Sequence, residues 1–124
     1  ITCSLAETCN GNCPNGDCPT CPCGRRANRQ DPVSWCAKFS GWDQKCCQCI
    51  IENASGENSN AMSHKAEGNS FAVGLWQIPE ANWAACGGMA PCDPNANLQC
   101  AKKVWEWGGR SFKLWSVANT CGCQ

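Results

Sequence analysis

The chain has 124 residues, with ten basic and ten acidic side chains and a formal net charge of zero. That length bounds it to one domain with room for a small appendage, and the balanced charge leaves no basic field to draw nucleic acid. No stretch is apolar enough to span a bilayer, so membrane insertion is set aside.

Fifteen cysteines are far above ordinary usage. Such density marks a disulfide scaffold folded in an oxidising compartment. The number is odd, so at most seven internal bridges form and one sulfur is left over. The chain shows no initiator Met and no hydrophobic leader at Ile1. A mature, secreted, extracellular monomer is the expectation. Seven Trp and no Tyr are present. An indole can stack on a sugar ring, but for any single Trp the core reading outweighs that one.

Residues 1–24 hold six cysteines among Gly, Pro and Asn, with no amphipathic period. They read as a cysteine-rich N-terminal extension to a domain spanning 25–124. Cys18, Cys21 and Cys23 offer a thiolate cluster that zinc would suit; disulfides are the stronger reading in a secreted chain, and no metal or other cofactor is expected. Asp31-Pro32 then opens a short helix, as N-cap and first helical residue, with Gly41 as its stop. A second helix is predicted from Asp43 to about Ala54, where Cys46, Cys47, Ile50 and Ala54 recur at three- and four-residue steps and Ser55-Gly56 ends the run.

Residues 55–70 are rich in Ser, Asn, Gly and Glu and read as loop and turn. "FAVGLWQI" reads as one strand, with Gly74 as a kink and Pro79 closing it. "ANLQCAKKVWEWGG" predicts a third helix ended by Gly108-Gly109, and "SFKLWSVANTC" a short fourth. Helices with a small strand region make an α+β fold.

Five pieces in one order carry a resemblance over roughly residues 30–124. They are "CIIENASGENSNA", "SFAVGLWQI" with "NW" soon after, "PC" at Pro91-Cys92, "CAKKV" from Cys100, and the Cys100-to-Cys121 spacing. Together the chain resembles the lysozyme superfamily, closest to the C-type lysozymes. That resemblance implies a lysozyme-like fold, mainly helical with a small antiparallel sheet and many disulfides. It also implies a muramidase lineage cleaving β-1,4 bonds between N-acetylmuramic acid and N-acetylglucosamine, with peptidoglycan or a chito-oligosaccharide as partner.

The two acidic positions of the family are occupied by alanine. Five residues after Cys49, and seven before Ala61, the family's glutamate position is Ala54. Two residues before Gly74, the family's aspartate position is Ala72. Glycoside hydrolysis needs a protonated acid at the leaving oxygen and a second carboxylate for the oxocarbenium ion or the water. A methyl group does neither, and general acid catalysis alone is worth about 10²- to 10⁴-fold. The chain is therefore expected to be inactive. Glu52 lies roughly 200° around the helix from Ala54. Glu57 follows the helix end, and Glu67 and Glu80 read as exposed loop charges. His64 and Ser55 have no partner that would make them a base or a nucleophile.

The resemblance keeps several binding positions. Gln77 and the backbone around Gly74 match the cleft-lining strand, Trp83 a cleft-wall aromatic, and Asn58 the turn after the glutamate. Leu114, with Phe112 and Trp115, falls at a cleft-side apolar position. Pro79 and the short Cys86-to-Cys92 loop depart from the pattern. Cys49–Cys121 and Cys86–Cys92 are the bridges the family would supply, and Cys100 is left without its usual partner. Two alanines at two such sites have the form of a designed truncation, since drift would as readily give Thr, Asn, Gln or Ser. A natural pseudoenzyme that binds glycan or a protein partner is the alternative, because fold does not fix function. A disulfide-rich structural or inhibitor protein stands third and leaves the ordered motifs unexplained.

Overall fold

The protein is described by a computed structural model that covers Asn12, residues 21–65 and residues 70–123. Most of the cysteine-rich extension, Cys18, Glu67 and the fate of the odd cysteine lie outside the described residues.

A capping aspartate starts each of the first three α-helices. Helix α1 (Pro32–Cys36) begins with Asp31, whose carboxylate accepts from the Val33 amide, and with Pro32 at the first position. Helix α2 (Gln44–Ser55) begins with Asp43 accepting from the Cys46 amide and ends on Gly56 at φ 63°. Gly56 takes that left-handed angle without a Cβ clash. Helix α3 (Pro94–Trp107) repeats the first device, with Asp93 accepting from the Ala96 amide ahead of Pro94. The sequence placed this start at Ala96; the Asp-Pro pair moves it two residues earlier. Helix α4 is a single turn, Ala118–Cys121. The predicted fourth helix over 111–121 is thus mostly turns, in which Trp115 bonds back to Phe112 and Ala118 to Trp115.

Three antiparallel strands form the sheet, in the order β1 (Met62–Lys65), β2 (Ser70–Val73), β3 (Ile78–Pro79). Mixed helices with this small sheet make the fold α+β. Two expectations are corrected here. Strand β1 falls in the stretch read as loop, and the single strand 71–78 is two strands joined by a turn at 74–77. Gly74 at φ 88° and Gln77 at φ 50° make that turn, and the Gln77 amide bonds back to the Gly74 carbonyl.

Register sets which side chains share a face. Ser63 pairs with Ala72, and Ala72 with Pro79. Directly paired residues project to one side of a sheet, so these three share a face. Met62, Phe71, Val73 and Ile78 take the other. Met62 and Val73 pack there with Cys21, Cys23, Trp83 and Ala90. The larger core joins Ile50 and Ile51 of α2, Leu98, Ala101, Val104 and Trp105 of α3, Leu75 and Trp76 of the 74–77 turn, and Ile78 of β3. Trp42 sits in an aromatic group with Phe39, Trp76, Trp105 and Phe112, ring centroids 5.0 to 6.3 Å apart. The core expectation for Trp holds for Trp42, Trp76, Trp105 and Trp115, which are buried; Trp35 and Trp83 are half-buried and Trp107 is exposed.

Five bridges join described cysteines: Cys23–Cys92, Cys36–Cys47, Cys46–Cys123, Cys49–Cys121 and Cys86–Cys100. Cys49–Cys121 is the pair the resemblance implied. Cys86–Cys92 is not formed. A 3-10 helix, Glu80–Cys86, packs on α3 and brings Cys86 to Cys100, which supplies the partner Cys100 lacked. Cys92 instead ties the end of the N-terminal segment to the body through Cys23. Cys21 is also disulfide-bonded, so neither Cys21 nor Cys23 is a free thiolate for zinc. Asn12 is held by the same region: its amide donates to the Gly24 and Arg26 carbonyls, and its backbone oxygen accepts from Met62.

Candidate functional site

The groove-facing end of α2 is fixed by two devices already described, the Gly56 cap and the Cys49–Cys121 bridge. They present Asn53 and Ala54 to a groove of about 620 Å³. The sheet face that carries Ser63 and Pro79 forms the next part of the lining, with Gln77 from the turn and Asn82 from the 3-10 helix. The remaining wall comes from the C-terminal part of the chain: Val104 and Trp107 of α3, then Leu114, Trp115, Ser116 and Val117. A volume of this size is in the ordinary range for a site that takes a small ligand.

The lining is polar on the α2 and sheet side and apolar on the α3 side. Val104 and Trp115 are buried in the floor, while Trp107 and Leu114 stand 53% and 54% exposed. Trp105 and Trp107 are two apart on one helix, roughly 200° around the axis, so burying the first leaves the second in solvent. None of the groove's described lining residues is charged.

Gln77 is held by its neighbours. Ser63 Oγ donates to Gln77 Oε1 at 2.8 Å, and Gln77 Nε2 donates to the carbonyls of Ala61 and Gly74 at 3.0 and 2.9 Å. These bonds fix a left-handed residue that would otherwise be strained. Behind the turn, Asn97 of α3 is fully buried. Its Oδ1 accepts from the Trp76 amide at 2.9 Å, and its Nδ2 donates to the carbonyls of Val73 and Pro91 at 3.0 and 2.9 Å. A Cβ on Gly74 would overlap this Asn97 amide. The close approach explains glycine there better than any role toward a ligand.

The sequence-derived candidates divide accordingly. Ala54, Gln77 and Leu114 meet in the groove, with Trp115 beside them. Ala72 lies on the groove-side face between Ser63 and Pro79, but is 1% exposed and beneath the lining. Asn58 lies elsewhere, at the α2–β1 connection. Its Oδ1 accepts from the amides of Asn28 and Asn60, and its Nδ2 donates to Asn12 Oδ1. Trp83 bridges the two apolar clusters and donates its indole N–H to the Ile78 carbonyl at 3.0 Å. Phe112 is buried in the aromatic group.

None of the alternative carboxylates among the described residues reaches the groove lining. Glu52 is exposed on α2. Glu57, at φ 71° beyond the helix end, pairs with Arg29 at 4.0 Å. Glu80 starts the 3-10 helix. His64 belongs to β1 rather than to a loop. Sequence reasoning did not single out Ser63, Asn82 or Trp107. A period of two through "AMSHK" would have exposed Ser63, and the Trp-Glu-Trp step would have exposed Trp107.

A second hollow of about 500 Å³ opens beside Trp42, Lys45 and Arg110. Its carboxylate, Asp43, is spent on capping α2, and none of the candidate site residues except buried Phe112 reaches it. Among the described residues no group of three His, Cys, Asp or Glu is placed to hold a metal ion, and no helix is long and apolar enough to cross a membrane. No family model, curated protein or solved structure matches the chain.

Proposed function

We propose that the chain is a muramidase whose two catalytic acids are replaced by Ala54 and Ala72, so that it holds β-1,4-linked N-acetyl sugars in the groove without cleaving them. The observation that carries this reading is Ala54 in the wall of a groove whose described lining residues include no carboxylate. A cleft whose described lining holds an aromatic platform and amide side chains but no acid can bind a sugar, and those residues cannot protonate a glycosidic oxygen. Trp107 and Leu114 offer apolar surface to a sugar face. Asn82 and Ser63 offer an amide and a hydroxyl group for its polar edge. A dense disulfide framework suits a secreted protein acting at a cell wall or on chitin.

Two measurements test it. Tetra-N-acetylchitotetraose should bind, read by tryptophan fluorescence, and the Trp107→Ala variant should bind it more weakly. The Ala54→Glu, Ala72→Asp double variant should clear a peptidoglycan suspension while the present chain does not. Binding without any activity in the double variant favours the second reading, a lysozyme-like pseudoenzyme. The saturated Ser63–Gln77–Ala61 hydrogen bonds beside Ala72 support that one, since a carboxylate at 72 must compete with them. No binding by any form defeats both.

A further inference from the structure

We propose that Asn53 is an N-glycosylation site whose glycan overhangs the groove. Asn53-Ala54-Ser55 is the one Asn-x-Ser/Thr triplet in the chain with a residue other than proline at its centre, the acceptor pattern for this modification in secreted proteins. Asn53 is exposed. It stands on the groove's lining, next to Ala54 and across from the wall that carries Trp107.

The Asn53 amide already has partners. Its Nδ2 donates to the Cys49 carbonyl, one turn back, at 2.9 Å, and lies 3.3 and 3.7 Å from the Cys49 and Cys121 sulfurs. An amide nitrogen carries two hydrogens. Glycosylation replaces one of them, so the carbonyl bond is kept and the weak contacts to the sulfurs are given up. Ser55, the third residue of the triplet, bonds the Ile51 carbonyl and is not part of the groove lining. Both residues sit in the last turn of α2, beside the Gly56 end.

The step needs a lipid-diphosphate-linked oligosaccharide as donor. The amide nitrogen attacks the anomeric carbon, the Nδ2–C1 bond forms and the C1–O bond to the diphosphate breaks. The lipid diphosphate leaves with the bonding electron pair, and one amide proton passes to a base of the transferase. Nothing is oxidised or reduced. The modification asks only that the residue at the centre of the triplet not be proline, so it stands whether or not the groove has a glycan ligand.

The consequence is steric. A glycan rooted beside Ala54 shields the groove mouth and the exposed indole opposite. The test is to secrete the full chain from a cultured eukaryotic cell line, alongside Ser55→Ala and Asn53→Gln. The intact wild-type chain should carry the mass of one N-glycan, removable by peptide N-glycosidase with conversion of the carrier asparagine to aspartate at position 53. Both variants should lack it. Acrylamide should quench the fluorescence lost in Trp107→Phe less in the glycosylated chain than in Ser55→Ala. A wild-type chain of unmodified mass, or a glycan that persists in Ser55→Ala, overturns the site. Equal quenching of the two forms overturns the overhang.

Discussion

Replacing Asn97 by Leu should loosen the turn that sets the groove floor. The side chain is fully buried and makes three hydrogen bonds, all to backbone: the Trp76 amide and the Val73 and Pro91 carbonyls. Leu keeps the branched shape but carries bulkier methyl groups, so no cavity is created and overpacking adds to the polar loss. A buried hydrogen bond contributes about 1 kcal/mol net, and a buried group left unpaired costs about 1–3 kcal/mol. Three such losses give a destabilisation of roughly 3 kcal/mol or more, with some relief where the turn shifts to find other partners. The assay is guanidinium unfolding of the oxidised chain followed by tryptophan fluorescence, with Asn95→Ala as an exposed control on the same helix. That control should stay within about 0.5 kcal/mol. The Trp76 amide should also exchange its hydrogen faster, because its acceptor is gone. A loss below about 1 kcal/mol with unchanged exchange at Trp76 refutes the account, since one orphaned buried group alone would exceed it.

Other consequences can be checked separately. Peptide mapping without reduction should recover Cys86–Cys100 and Cys23–Cys92 as linked pairs and no Cys86–Cys92 peptide, because the 3-10 helix is packed on α3. Trp107→Ala should weaken tetra-N-acetylchitotetraose binding by about 1 kcal/mol, the scale of an aromatic contact, while leaving the unfolding midpoint near wild type, since this indole is half out of the fold. Binding of that neutral sugar should hold nearly constant from about 0.01 to 1 M ionic strength, a range that shortens the Debye length from about 30 to 3 Å. A steep salt dependence would show that charges outside the lining govern the groove.

How much of this was legible in the sequence depended on whether the local signal was unique. Asp31-Pro32 and Asp43 marked helix starts correctly because a carboxylate cap has a single use there. Gly56 marked an end because a left-handed residue follows the last turn. Strand β1 was not legible. "MSHK" has only four residues, lies among turn formers, and is fixed by pairing with β2 rather than by propensity, as strands commonly are. "FAVGLWQI" hid its turn because both halves are apolar. Only Asn97, about twenty residues away, explains why the chain reverses at Gly74. The bridge at Cys86 was illegible for the same reason: its partner is chosen by packing between the 3-10 helix and α3, and cysteine spacing cannot show that.

Positions 54 and 72 differ in the room they leave for a longer side chain. Ala54 is half-exposed in the groove wall, so a longer side chain there can rise into open space. Ala72 is 1% exposed, flanked by Ser63 and Pro79 on the adjacent strands. A carboxylate at 72 has one polar route, toward the Ser63 hydroxyl. To use it, that hydroxyl must turn from Gln77 Oε1, its present acceptor at 2.8 Å. Breaking this bond releases one hold on Gln77, while its two bonds to Ala61 and Gly74 remain. Ala72→Asp alone should therefore destabilise the chain by more than about 3 kcal/mol, because burying a carboxylate costs more than burying a neutral polar group, and Ala54→Glu alone by about 0.5 kcal/mol or less. Adding Ser63→Ala to Ala72→Asp discriminates further. If the serine is the carboxylate's donor, its removal leaves a buried charge unpaired and the loss grows; an additive result would place the carboxylate elsewhere.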